Sequence, residues 1–153
     1  MIIEKQEADY NMLDWWKKVF IKNYANFEGR ARRSEYWYYV LVNILIMIIP
    51  IVLMFTGIGT YDGDSPLYYI GLALVVLFGL ASFIPSIAVA VRRLHDTGKS
   101  GWWYLIGIIP VVSYIGGIVL FVFYCIDGDK GPNQYGPDPK GNNDTEIDQI
   151  GIE

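Results

Sequence analysis

LYYIGLALVVLFGLASFIPSIAVAV, residues 67–91, runs for 25 residues without a charged side chain. As a helix rising about 1.5 Å per residue it is about 37 Å long. That is enough to cross a hydrocarbon core of about 30 Å. Two further stretches share its character, residues 36–56 before it and residues 102–126 after it. The shorter of these still reaches about 31 Å as a helix. A soluble domain of 153 residues has no use for three such runs, because most of its helices turn one polar face to water. The reading is an all-α integral membrane protein with three transmembrane helices, at residues 36–56, 67–91 and 102–126.

Composition agrees. The chain is 53% hydrophobic and its mean hydropathy is positive. The net charge of −4 hides an asymmetry. Residues 1–35 carry seven Lys or Arg against six acids, while residues 127–153 carry seven acids against two Lys. The acidity therefore belongs to the tail, and nothing resembles the basic footprint of a nucleic-acid binder. Cys125 is the sole cysteine, which excludes an intrachain disulfide and a cysteine metal cluster. Residues 1–35 have no apolar core of the length a cleavable signal peptide needs, so the first span is expected to act as the insertion signal.

Short cytoplasmic loops collect Lys and Arg. Lys17, Lys18, Lys22, Arg30, Arg32 and Arg33 precede the first span, and Arg92, Arg93 and Lys99 separate the second from the third. The loop between the first two spans has only Asp62 and Asp64 as charged residues. The N-terminus and the second loop are thus expected in the cytoplasm. With three crossings the C-terminal tail is expected outside. Pro110, Ser113, Gly116 and Gly117 interrupt the last stretch midway. A broken or re-entrant segment there would bring the tail back inside.

Residues 1–11 read as a flexible N-terminus. Met12, Trp16, Val19 or Phe20, Tyr24 and Phe27 share a helical face, which predicts an amphipathic interfacial helix over residues 12–27. The alternative is an ordinary helix packed on the spans. Gly29 reads as a helix stop and Ser34 as the N-cap of the first span. Pro66 suits a helix start, and Pro85 removes a backbone donor. Ser82, Ser86 and Ala90 recur every four residues, a small-residue face that invites a close partner, expected to be the third span, with a second copy of the chain as the rival. Asn43, a strong polar group inside a span, is expected to bond to a neighbouring helix. Residues 127–153, rich in Gly, Pro, Asn and Asp, read as turns and then disorder after residue 140.

Three segments stand out: Phe27-Glu28-Gly29-Arg30-Ala31-Arg32-Arg33-Ser34-Glu35-Tyr36-Trp37, Arg92-Arg93-Leu94-His95-Asp96-Thr97-Gly98-Lys99-Ser100-Gly101-Trp102-Trp103, and Gly131-Pro132-Asn133-Gln134-Tyr135-Gly136-Pro137-Asp138-Pro139. In this order around these spans, they resemble the bacterial family known as domain of unknown function 805. The resemblance covers residues 12–140 and implies a small bacterial inner-membrane protein, with no activity attached. Asp127-Gly128 stands where many relatives carry Pro-Gly.

By the charge argument both basic motifs meet the inner leaflet. Arg30, Arg32, Arg33, Arg92 and Arg93, with His95 and Lys99, then form a candidate site for an anionic headgroup or phosphate, since guanidinium forks bind such groups bidentately. Glu35 and Asp96 are the acids available to pair with arginines and lock the helix ends. Thr97-Gly98-Lys99-Ser100-Gly101 lacks the spacing of a phosphate loop and reads as a tight turn. His95 beside Asp96 has the composition of a general-base pair, but no coupled nucleophile is evident. Asp127, Asp129 and Asp138 have the wrong intervening residues for a calcium loop. No cofactor or metal is expected. The spans lack the ionisable residues of a pump.

The expected role is therefore a non-enzymatic accessory or interaction protein, meeting the lipid bilayer, anionic phospholipid headgroups, and a second copy or another membrane protein. The rivals are an oligomeric channel or lipid-handling transporter, and a membrane enzyme acting on a phosphorylated lipid.

Overall fold

The computed structural model describes residues 7–58, 65–110 and 112–141. The first six residues, the loop carrying Asp62 and Asp64, and the tail after Gly141 lie outside the described residues. Among those described there is no strand. One 3-10 turn, Glu7–Asp9, precedes α1 (Met12–Lys17), a π-helical turn (Lys18–Lys22), α2 (Arg33–Ile58), α3 (Pro66–Asp96), a 3-10 helix (Gly101–Gly107) and α4 (Ser113–Cys125). The helices α2 and α3 are long and apolar enough to cross a membrane. By contacts the chain divides into two units, Met1–Tyr24 with Trp37–Ser86, and Ala25–Tyr36 with Ile87–Glu153.

In the first unit α2 and α3 run antiparallel. Gly57 lies against Tyr68, and Gly71 lies against the Pro50 carbonyl and the Met54 backbone, where a Cβ would find no room. Further along, the Tyr39 hydroxyl sits 3.0 Å from Ser86 Oγ and 3.2 Å from the Ser82 carbonyl oxygen. The small-residue face of α3 thus receives Tyr39 of α2.

A capping box starts α1: Asn11 Oδ1 accepts the Asp14 N–H at 2.9 Å, and Asp14 Oδ2 accepts the Asn11 N–H at 3.0 Å. The helix ends by Lys22, short of the predicted Phe27, so Phe27 belongs to no helix. Its aromatic face meets the long helices. Trp16 Nε1–H donates to Asn43 Oδ1 at 2.9 Å, and Phe20 stacks on Phe78 with ring centres 6.2 Å apart. The Tyr24 hydroxyl donates to the Ala81 carbonyl at 2.8 Å. That last bond has a cause in the sequence. Pro85 has no N–H to offer the carbonyl four residues back, which is Ala81, and Tyr24 supplies the missing donor. The aromatics read as membrane-facing are therefore packed on protein. The exposed face carries Leu13, Lys17 and Ile21 instead.

In the second unit α3 ends at a left-handed glycine. Gly98 has φ +68°, its N–H donates to the His95 carbonyl, and Lys99 N–H donates to the Leu94 carbonyl. The phosphate-loop lookalike is this helix cap. At the start of α2, Ser34 lies within the first turn, because the helix already begins at Arg33; it is not the N-cap.

The third apolar stretch is not one helix. Ser100 caps a 3-10 helix of seven residues, about 14 Å long at 2.0 Å per residue. After residues 108–112, with Pro110 among them, α4 of 13 residues covers about 20 Å. Neither reaches a bilayer's thickness. The two pack directly: a Cβ on Gly116 would strike the Ile106 carbonyl. Both ends of this hairpin lie by the end of α3. Asp129 N–H donates to the Asp96 carbonyl at 2.7 Å, and Gly98 abuts the Asp129 carboxylate. The expected single helix over residues 102–126 is corrected to two short helices that pack on each other.

Candidate functional site

The second unit gathers all three sequence motifs around Asp96. Residues 28–35 enter through Gly29, whose φ of +79° suits glycine and turns the chain. Ala31 N–H then donates to the Arg92 carbonyl at 3.0 Å, fixing this segment against α3. Residues 126–138 enter from the other side. Gly128 passes so close to the Asp96 carboxylate that any side chain there would collide with it.

Asp96 is 3% exposed and accepts from two arginines. Arg30 Nε–H donates to Oδ1 at 2.9 Å, and Arg93 Nη1–H donates to Oδ2. The remaining donors of both forks reach backbone carbonyls. Arg30 donates to Gly131 O at 2.6 Å and to Asp129 O. Arg93 donates to Tyr124 O at 3.3 Å, Ala31 O at 3.4 Å and Ile126 O. One carboxylate thus anchors two guanidiniums, and these tie the residue 28–35 segment and the end of α4 to the last turn of α3. Isolated burial of such charges is costly; pairing and full hydrogen bonding offset it. A second pair lies one turn back along α3, where Arg92 Nη1–H donates to Glu35 Oε1 at 2.6 Å.

The other predicted residues are placed differently. Arg33 is exposed, bonded to Cys125 O at 3.3 Å and paired with Asp127 at 2.6 Å. Lys140 meets the same Asp127 at 2.8 Å. Arg32 is half-buried, and its carbonyl accepts the Tyr36 N–H. Lys99 Nζ sits 5.6 Å from the centre of the Phe123 ring, a cation–π contact. His95 Nδ1 lies 3.2 Å from the Gly29 carbonyl, which makes that nitrogen the N–H donor. Its ring stacks on Tyr135 at 3.9 Å with planes 5° apart.

The third motif, expected across the membrane from the other two, completes the cluster. Asn133 Nδ2–H donates to the His95 carbonyl at 2.9 Å. A tight turn joins Asn133 and Gly136 through two backbone bonds of 3.0 Å. Asp138 holds the turn's base by accepting the Gly131 N–H at 3.0 Å and the Lys140 N–H at 2.9 Å. Burial would raise the Asp138 carboxyl, but these two N–H donors, together with the charges of Arg30 and Lys140, hold it below the usual carboxylate range. The unusual Gly/Pro/Asn composition of this motif was the available signal: it specifies a folded turn, not a solvent tail.

Chemically, the cluster is a clasp. Among the described residues no group of three or more His, Cys, Asp or Glu is placed to hold a metal ion. The acids near the motifs face Arg, Lys and backbone N–H groups instead.

Comparison with known proteins follows the same boundaries. The model of the family described as "Protein of unknown function (DUF805)" matches residues 24–137, which takes in the first two motifs whole and the third as far as Pro137. The chain is 41% identical over 129 residues to "Inner membrane protein YhaH" of Escherichia coli (strain K12), covering 84% of this chain and 98% of that one. It is 42% identical over 129 residues to "Inner membrane protein YhaI" of the same strain, covering 84% and 97%. No solved structure matches.

Proposed function

The chain belongs to the DUF805 family, and on that footing we propose a non-enzymatic inner-membrane protein that carries a rigid cytoplasmic docking platform. In this reading α2 and α3 cross the bilayer, and residues 101–125 dip in and return to the side they left. Positive charge on the segments before α2 and after α3 supports a cytoplasmic position for the clasp. The close association of residues 126–138 with Asp96 supports the same side for the tail. Leu13, Lys17 and Ile21, exposed on one face of α1 and the turn that follows, suit contact with anionic headgroups, as do Lys22 and Arg33.

The observation that carries the reading is the shared Asp96 carboxylate. The motif arginines Arg30 and Arg93 are committed to internal bonds, as a structural platform requires. His95 donates its Nδ1–H to the Gly29 carbonyl and stacks on Tyr135, which fixes its ring within the platform.

The test is a pair of reporter fusions in bacteria. A fluorescent protein joined after Gly141 is expected to fluoresce, and alkaline phosphatase inserted between α2 and α3 is expected to be active. Active alkaline phosphatase at residue 141 would refute the two-crossing arrangement and the cytoplasmic platform together.

A further inference from the structure

Residues 102–126 hold no charged side chain, yet both of their ends are fastened at one level of α3. At the entering end Gly101 lies so close to Val91 that a Cβ there would strike its side chain, with His95 Nε2 next to it. At the leaving end the Tyr124 and Ile126 carbonyls accept from Arg93. Between these anchors the two arms run side by side. The Trp103 and Phe123 rings meet edge to face at 5.6 Å, and a Cβ on Gly107 would meet the Leu120 side chain. One arm is about 14 Å long and the other about 20 Å. Half of a hydrocarbon core is about 15 Å.

What the arms turn outward is apolar. Ile108 is 59% exposed, Ile115 72% and Ile118 67%, and Tyr114 brings the only hydroxyl among the exposed side chains of the described hairpin residues. Even around the tip the backbone bonds to itself, as lipid demands. The Ile108 and Ile109 N–H groups donate to the Leu105 carbonyl, Ser113 N–H donates to the Ile109 carbonyl, and Pro110 has no N–H to place. Interfacial side chains stand at the base: Trp102 is 78% exposed there, and the Lys99 ammonium lies near Phe123.

We infer that the hairpin of residues 101–125 is a lipid-binding surface for the acyl chains of a single leaflet, entering from the clasp and ending near the bilayer midplane. Its occupant is acyl chain and not headgroup, because no exposed side chain between Trp103 and Cys125 carries a charge to pair with phosphate. This rests on the platform reading, which makes the leaflet the inner one. It adds the depth at which the hairpin stops and the part of the lipid that it holds.

The experiment uses the full chain reconstituted in vesicles of phosphatidylcholine, with and without phosphatidylglycerol, and spin labels read by electron paramagnetic resonance. Cys125 takes a label without any substitution, and Ile109→Cys or Ile118→Cys takes one in a Cys125→Ser background. The label at 109 is expected to collide with oxygen and to be shielded from a water-soluble nickel chelate, which reaches the label at 125. The label at 118 is expected to be mobile and open to oxygen, and all three readings are expected to be the same in both vesicles. Labels on Cys125 and Trp102→Cys together are expected to lie close, whereas one helical crossing would set them about 35 Å apart. Trp103→Cys replaces Trp102→Cys should the latter not fold. Nickel access at 109, an immobile label at 118 closed to oxygen (a second copy on this face), or readings that depend on phosphatidylglycerol would overturn the inference and leave the reporter-fusion result for the platform standing. A separation near 35 Å would overturn it together with the platform, and the fusion at residue 141 would then report the outer side.

Discussion

At the scale of single residues, Asp96 and Tyr24 show how the chain handles polar groups that cannot reach water. Removing the Asp96 charge leaves two buried guanidiniums with one anchor fewer, and breaking a buried pair in this way costs about 3–5 kcal/mol. Asp96→Asn is expected to lower the thermal midpoint in detergent far more than Asp127→Asn, whose carboxylate is exposed. Tyr24→Phe leaves the Ala81 carbonyl without the donor that Pro85 cannot supply, a loss of about 1–3 kcal/mol readable in the same melt. Asp138 sets a pH limit. Its carboxyl is held below the usual range in the folded turn, so its stabilising contribution is complete above the unfolded value of about 3.9 and is lost as pH falls through the native one. The amide signals of Gly131 and Lys140, which donate to Asp138, are expected to shift as the pH falls below about 4.

At the scale of elements, glycine contacts separate the close approaches from the open positions. Gly116→Val places a side chain into the Ile106 carbonyl and is expected to destabilise the hairpin by about 1–3 kcal/mol. Gly117, the next residue, has open space around its Cβ position, so Gly117→Ala is expected to be neutral or mildly stabilising. Thermal melts of the two variants check the contrast. These elements also show what was legible beforehand. Length and hydropathy identify α2 and α3 as helices long and apolar enough to cross a membrane. The start of α1 is written in Asn11 and Asp14, and the partner of Asn43 is a neighbouring helix as expected. The third stretch satisfies the same hydropathy test while folding as a hairpin, because composition is blind to direction. The aromatic face of α1 is equally ambiguous: Trp16, Phe20 and Tyr24 suit a lipid surface as well as the side of α3. Only the orphaned carbonyl created by Pro85 distinguishes them, and it lies 57 positions from Tyr24.

At the scale of the whole molecule, the three motifs are separated by apolar stretches and unite as one clasp in the second unit. Each motif is visible in the sequence, with Glu35 and Asp96 as the acids available for pairing. A count of three crossings puts the third motif on the opposite side of the membrane. The acidic, Gly- and Pro-rich composition after residue 126 then reads as a solvent tail, although the arginines it docks against lie about 30 to 100 positions away in sequence. Hydrogen exchange over residues 127–138 tests this union most directly. In the wild type the amides of Asp129, Gly131 and Asn133 are expected to be protected, since they bond to Asp96 O, Asp138 Oδ2 and Gly136 O. In Asp96→Asn that protection is expected to fall while α2 and α3 stay protected. Random-coil exchange across residues 127–138 of the wild type would contradict the clasp.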